Sequence, residues 1–199
     1  MKKVICIGRE FGSGGHEVAV RLAECLGIKV YEREILHLAC KYGEVSMKSL
    51  EKADEKATNP YLFETIHEGN YHVLRGMPTS EVLFALQSHE IKRIAAREDC
   101  IFVGRCADYV LRDAEVNLFS VFISAPFDYR VQRKMEQEKL SQDKAKRLVK
   151  KMDKQRKKYY ESFTDRKWGN PDNYDFYIDM SKCSIEQAIE DIAVQYGLL

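Results

Sequence analysis

The first 27 residues, MKKVICIGREFGSGGHEVAVRLAECLG, constrain the fold more than any other part of the chain. Lys3 to Ile7 (KVICI) is a short, β-branched apolar run of the kind that forms a buried strand. In EVAVRLAECLG the apolar residues Val18, Leu22, Cys25 and Leu26 recur at helical spacing, and Gly27 stands where a helix-terminating glycine is expected. Between strand and helix lies the cluster Gly12-Ser13-Gly14-Gly15. A strand running through glycines into a helix leaves several backbone N–H groups and the positive end of the helix dipole facing one point, which is what an anion requires.

The same alternation continues downstream. Ile28 to Tyr31, Cys100 to Val103, Leu118 to Ile123 and Phe176 to Ile178 are four further short apolar segments, in the manner of buried parallel strands. Helices are expected from Arg33 to about Tyr42, over EVLFALQSHEIKRIAAR behind Thr79 or Ser80, over FDYRVQRKMEQEK behind Pro126, and over QDKAKRLVKKMDKQRKKYY behind Ser141. Ser184-Ile-Glu-Gln187 matches a capping box and opens a final helix. From about Ser46 to Arg97 the chain reads as helices punctuated by Asn59-Pro60, without strand alternation. Strands alternating with helices predict an α/β fold, a five-stranded parallel sheet covered on both faces in three α/β/α layers.

A chain of 199 residues with 45% hydrophobic content is read as one domain, 1–199, around one core. No apolar run approaches the roughly 18 residues of a membrane span, and Met1-Lys2-Lys3 leads straight into the first strand, so a cytoplasmic protein without membrane association is expected. Cys6, Cys25, Cys40, Cys100, Cys106 and Cys183 are scattered without a C-x-x-C pair, which indicates neither a disulfide framework nor a zinc site. Charge is unevenly placed: 15 of the 32 Lys/Arg but 6 of the 31 Asp/Glu lie between Tyr129 and Trp168, a local +9 on a body of −8. That segment calls for an anionic partner, a polyphosphate or a nucleic acid, or is a solvated helix face. Base-stacking aromatics are missing until its end, so a nucleic acid is not the expected partner.

A phosphate loop of the usual form G-x-x-x-x-G-K-[ST] adds a lysine for the β- and γ-phosphates and a hydroxyl for Mg²⁺. Here Gly15 holds the lysine position and is followed by His16 and Glu17, so the strict pattern is not met. Nevertheless, ICIGREFGSGGHEVAVRLAECLGIKVYEREIL resembles the start of the cytidylate-kinase-like family of P-loop proteins. The resemblance continues, in order, through VGRCADYVLRD, ISAPFDYRVQR, KKMDKQRKKYY, KWGNPDNYD and DMSKCSIEQAIEDI, and is weakest from about Ser46 to Arg97.

This resemblance implies a P-loop NTPase-like kinase fold with a helical acceptor-binding insertion over about 40–97 and a helical lid over about 129–168. It implies ATP and Mg²⁺ as cofactors and a nucleoside monophosphate, CMP among the candidates, or a related small molecule as acceptor. Gly12, Ser13, Gly14 and Gly15 would cradle phosphate, with His16 a further donor. Arg130 and Arg133, three apart on one helix face, would clamp the transferring phosphates as lid arginines, and a solvated face is the alternative for Arg133. Arg9 is a candidate replacement for the lost lysine, and Glu10 a candidate to hold Mg²⁺ through water. Glu32, Arg105, Asp153 and Arg156 fall on acceptor-side positions, although Asp153 and Arg156 also read as an i, i+3 surface salt bridge. Trp168, with Tyr159 and Tyr160, is either a base-stacking group or the anchor of a lid turn.

Val103 and Cys106 stand where the cytidylate kinases carry acids on either side of Gly104-Arg105, which weakens the case for CMP itself. Two functions are therefore open on the sequence, a small-molecule kinase and a nucleotide- or phosphate-binding module with little turnover. No direct metal ligand is assigned, and a homodimer formed through the helical insertion is compatible with both.

Overall fold

The computed structural model describes residues 1–43 and 79–198; Ser46, Asn59-Pro60 and the helices expected around them lie outside the described residues. Five strands form one parallel sheet: β1 (Lys3–Arg9), β2 (Lys29–Tyr31), β3 (Cys100–Val103), β4 (Asn117–Ser124) and β5 (Phe176–Asp179). Their order is β2-β3-β1-β4-β5. Seven α-helices accompany them among the described residues: α1 (Gly15–Leu26), α2 (Glu34–Gly43), α3 (Thr79–Ala95), α4 (Ala107–Val110), α5 (Phe127–Glu138), α6 (Gln142–Phe163) and α7 (Ile185–Leu198). None of them is long and apolar enough to cross a membrane.

The central strand shows why both faces are covered. Side chains alternate across a strand, and here both sets are apolar. Ile5 and Ile7 join Val18 and Leu22 of α1 and Ile192 of α7 in one core, whereas Val4 and Cys6 join Ile35 of α2, Ile91 and Ile94 of α3 and Phe102 in the other. The chain leaves β1 toward β2 and β3 on one side and toward β4 and β5 on the other. In such sheets the crevice at the carboxyl end of the switching strand is the ordinary place for a ligand. The residues that leave these strand ends are Glu10, Glu32, Gly104-Arg105 and Ala125.

Most elements match the periodicity, with instructive departures. β1 runs two residues past Ile7 because Gly8 and Arg9 stay in register with Phe122 and Ile123 of β4. The four-residue α4 carries too little periodicity to be visible in the sequence. Thr79 and Ser80 lie inside the first turn of α3. Ser141 occupies the N-cap position of α6 without a side-chain capping bond. Half of the capping box at Ser184 forms: the Gln187 N–H donates to Ser184 Oγ at 3.2 Å, while the Gln187 amide donates forward to Asp191 at 2.8 Å.

The far end of α6 is held by an aromatic cluster of Tyr159, Tyr160, Phe84, Tyr109, Phe163 and Trp168 around Cys106. Inside it the Tyr160 hydroxyl donates to Asp108 Oδ2 at 2.6 Å, both groups being buried. Burial pushes the Asp108 carboxyl above its ordinary range, against the opposing pull of the Tyr160 bond, and burial likewise raises the Tyr160 hydroxyl. An acid whose value is raised in the folded state binds its proton more tightly there, so that stabilisation is complete at low pH and is lost as pH rises through the raised value. Urea unfolding across the acid-to-neutral range should therefore show the wild type losing stability relative to Asp108→Asn as pH increases. Parallel curves for the two proteins would contradict the assignment.

Candidate functional site

The glycine loop joins β1 to α1 at the sheet's carboxyl edge. Gly12 and Gly14 have φ of 85° and 98°, a left-handed backbone that L side chains rarely adopt. Gly14 is the N-cap of α1 and provides no side-chain cap. The first N–H groups of a helix have no intrahelical acceptor, so those of Gly15, His16 and Glu17 face outward at the loop. Ser13 is buried, its hydroxyl donating to the Glu10 carbonyl at 2.9 Å, which tightens the turn from within.

The loop is clasped from beneath by α5 and α6. Arg130 is buried, and its guanidinium donates to the carbonyls of Ala125 (2.8 Å) and Phe11 (3.1 Å) and to Asp153 Oδ2 (2.5 Å). Asp153 Oδ1 in turn accepts from the Phe11 N–H at 2.8 Å, so both backbone groups of Phe11 are held by one ion pair. Glu10 accepts from the Ala125 N–H at 3.0 Å and lies 3.3 Å from Arg130. Burial raises the Glu10 carboxyl, with the Ala125 bond and Arg130 pulling the other way. The Phe11 ring is flanked by Lys134 at 4.6 Å and Arg156 at 5.5 Å, and the Arg156 guanidinium donates to the Arg9 carbonyl at 3.2 Å.

Above the loop opens a cavity of about 420 Å³ lined by Gly14, Arg9, His16, Glu32, Arg133 and Arg156 among others. Arg133 reaches it from α5 and is bonded to Glu17 at 2.5 Å; its guanidinium lies 3.6 Å from where a Cβ on Gly14 would be. Glu32 bridges Arg9 and His16, with Oε1 accepting from Arg9 at 2.7 Å and Oε2 lying 2.6 Å from His16 Nδ1. Its carbonyl accepts from Arg105 Nε at 2.6 Å. Arg105 and Cys106 follow Gly104 with φ of 58° and 56°, two successive non-glycine residues in the left-handed region, at roughly 1–2 kcal/mol each. That turn places Arg105 over the end of β2.

The structure thus brings Arg9, Gly12, Gly14, Gly15, His16, Glu32, Arg133 and Arg156 to one cavity. It puts Arg130 and Asp153 under the loop, as its clasp, and not in the cavity lining. A lid arginine's i, i+3 pairing with Arg133 is therefore not what the two share: one faces the cavity and the other is buried. Arg105 lines a second, smaller space of about 30 Å³, enough for a water or two, with Asp108, Tyr160 and Trp168. Trp168 stands edge-on to Phe122 at 5.6 Å, which is an anchoring contact. Sequence reasoning missed Glu17, Lys134 and Asp108. The signal for Asp108 is an acid two residues beyond the empty acidic position at Cys106, on the same short helix.

The lysine position has a specific neighbour. A Cβ built on Gly15 would lie 2.7 Å from Arg9 Cβ and 3.2 Å from its Cγ, distances at which something must shift. With the G-x-x-x-x-G-K-[ST] pattern laid on Gly14, its first glycine falls on Arg9, its lysine on Gly15 and its hydroxyl residue on His16.

Comparison with known proteins agrees with this architecture. A structure described as an uncharacterized protein from Eubacterium ventriosum superposes with a TM-score of 0.73 at 30% identity, covering 98% of this chain and 99% of that one. The Mycobacterium tuberculosis APS kinase CysC, solved in complex with AMPPNP and APS, shares the fold with a TM-score of 0.54 at 16% identity over 100% and 98% of the two chains. Shikimate kinase from Acinetobacter baumannii in complex with shikimate does so with a TM-score of 0.51 at 11% identity, over 97% and 91%. No curated protein matches the sequence. Residues 4–182, nearly the whole chain and every element from β1 to β5, match the cytidylate kinase-like family, and the protein belongs to that family.

Proposed function

We propose that the protein is an ATP-dependent phosphotransferase that acts on a nucleoside monophosphate, CMP included, or on a related small acceptor. The observation that carries this reading is the contact between Arg9 and Gly15. Glycine and cation have exchanged places, so positive charge enters the phosphate site from the end of β1 instead of from the first turn of α1. On this reading the uncapped N-terminus of α1 and the glycine N–H groups hold the donor phosphates, with Arg9 and Arg133 meeting the charge that spreads over the transferred group. The acceptor stands toward the ends of β2 and β3, beside Arg105 and Arg156. The segment over about 129–168 serves as the lid that excludes water through the side of α5 and α6 that carries Arg133 and Arg156, while Arg130 and Asp153 anchor the same helices to the loop. The work is positioning and charge neutralisation, which is most of what phosphoryl transfer asks of a protein.

Nucleoside triphosphate is taken with Mg²⁺, as the family of P-loop kinases implies. A cytoplasmic setting, a small-molecule partner in place of a nucleic acid, and a homodimer are part of the same reading. The pairing of Glu32 with Arg9 and of Glu17 with Arg133 favours a second reading, a nucleotide-binding module whose cations are already neutralised.

Two sets of measurements test this. ADP formation from ATP, with CMP, dCMP, UMP, AMP and small hydroxylated metabolites as acceptors, should exceed the acceptor-free rate for at least one of them, and Arg9→Ala should lower that turnover about 10²- to 10³-fold. The exchange variant Arg9→Gly/Gly15→Lys should recover part of the loss. ADP binding without turnover on any acceptor would leave the binding module. Arg130→Ala should instead act on stability, removing the buried partner of a partly buried pair at about 2–4 kcal/mol in urea unfolding, between the exposed and the fully buried ranges. A loss below about 1 kcal/mol, the range of an exposed pair, would contradict the clasp.

A further inference from the structure

We infer that the acceptor group is an uncharged hydroxyl of a small molecule and not a phosphate oxygen, and that His16 is the general base that takes its proton, with Glu32 as the residue that positions the imidazole. The inference rests on the proposed phosphotransferase site and names the chemical class of its acceptor.

The geometry joins the two halves of that site. His16 stands in the first turn of α1, directly after Gly15, where the proposed donor phosphates meet the helix N-terminus. Its Nδ1 lies 2.6 Å from Oε2 of Glu32, just past the end of β2, the side on which the proposed acceptor stands. Glu32 is fixed by two further contacts: Oε1 accepts from the buried Arg9 at 2.7 Å, and the backbone carbonyl accepts from Arg105 at 2.6 Å. A carboxylate only accepts, so the neutral imidazole carries its hydrogen on Nδ1 and its lone pair on Nε2. The His16 side chain is 68% exposed and lines the cavity. Nε2, on the ring edge away from Glu32, has no partner among the described residues. An acid that sets the tautomer of an imidazole, with the other ring nitrogen open to the reacting group, is the arrangement that makes histidine a base.

Among the described residues lining the cavity, every carboxylate is already engaged. Glu17 is bonded to Arg133 at 2.5 Å, and Glu10 accepts from the Ala125 N–H at 3.0 Å and lies 3.3 Å from Arg130. Both oxygens of Glu32 are taken, by Arg9 and by His16 itself. The lone pair on His16 Nε2 is the base left uncommitted. Acidity then sorts the acceptors. A phosphate monoester loses its second proton at about pH 6, so a nucleoside monophosphate presents an ionised oxygen and asks for no base. A hydroxyl resembles water, whose pKa is roughly 15.7, and needs one. In the transfer the hydroxyl oxygen bonds to the γ-phosphorus, and the bond from that phosphorus to the β,γ-bridging oxygen breaks with its electron pair leaving on ADP. The hydroxyl proton passes to His16 Nε2.

The test measures ATP turnover with CMP and UMP, with glycerol, L-serine, shikimate and myo-inositol, and with no added acceptor, where water is the hydroxyl; ³¹P NMR identifies the product. The wild type should form a phosphomonoester, or inorganic phosphate from water, and no CDP or UDP. His16→Ala should lower kcat at least about 10²-fold, with the KM for ATP within about three-fold of wild type, and free imidazole should raise the variant's rate about ten-fold. Glu32→Gln should lower kcat without raising the KM for ATP, whereas a role confined to holding Arg9 would raise it. Formation of CDP or UDP would overturn the acceptor class while the phosphotransferase reading stands. Unchanged turnover in His16→Ala, or a loss that imidazole does not restore, would overturn the base and leave that reading intact. No ADP from the wild type with any acceptor or with water would overturn the proposed function and this inference together.

Discussion

One ion pair, between the buried Arg130 and the partly buried Asp153, governs the shape of the glycine loop between β1 and α1. Arg130 and Asp153 hold the carbonyl and the N–H of Phe11 at once, and Arg130 also ties the loop to the end of β4 through the Ala125 carbonyl. A glycine-rich segment loses much conformational entropy on folding, so a loop with glycines at 12, 14 and 15 needs such external fixation to present its N–H groups in one direction. Because the two charges come from α5 and α6, the most basic part of the chain is joined to the loop through its backbone.

With the loop fixed from below, charge above it is arranged differently from the usual phosphate loop. On the proposed reading the cation is supplied by β1, where Arg9 is buried against Gly15, and not by the helix. A glycine at 15 is then a steric requirement, because any Cβ there would press on the arginine's own. Glu32 neutralises Arg9 and touches His16, while Glu17 neutralises Arg133. On the proposed reading a polyphosphate competes with these acids for the same donors.

The β1–loop–α1 unit was legible because two clear periodicities meet at glycines, and the parallel sheet followed from short apolar runs spaced by helices. Family resemblance carried the same conclusion over nearly the whole length. Side-chain roles were less legible, for a physical reason. Spacing of Arg130 and Arg133 on a helix says only that they share a side, while burial depends on Asp153, 23 residues away in the sequence. The clustering of Arg9, His16 and Glu32 likewise depends on β2 lying near the end of β1, and no local pattern encodes that. α4 and its Asp108 escaped notice because four residues make a single turn, too short for a periodic signal.

Whether the loop at Gly12–Gly15 binds polyphosphate through its backbone, without a lysine in the helix, is read directly from amide ¹H–¹⁵N shifts when the labelled protein is titrated with ADP. The predicted result is saturable downfield movement of the Gly14, Gly15 and His16 amides, with core amides such as those of Ile5 and Val121 unmoved. Stationary loop amides at an ADP concentration that shifts residues elsewhere would contradict it.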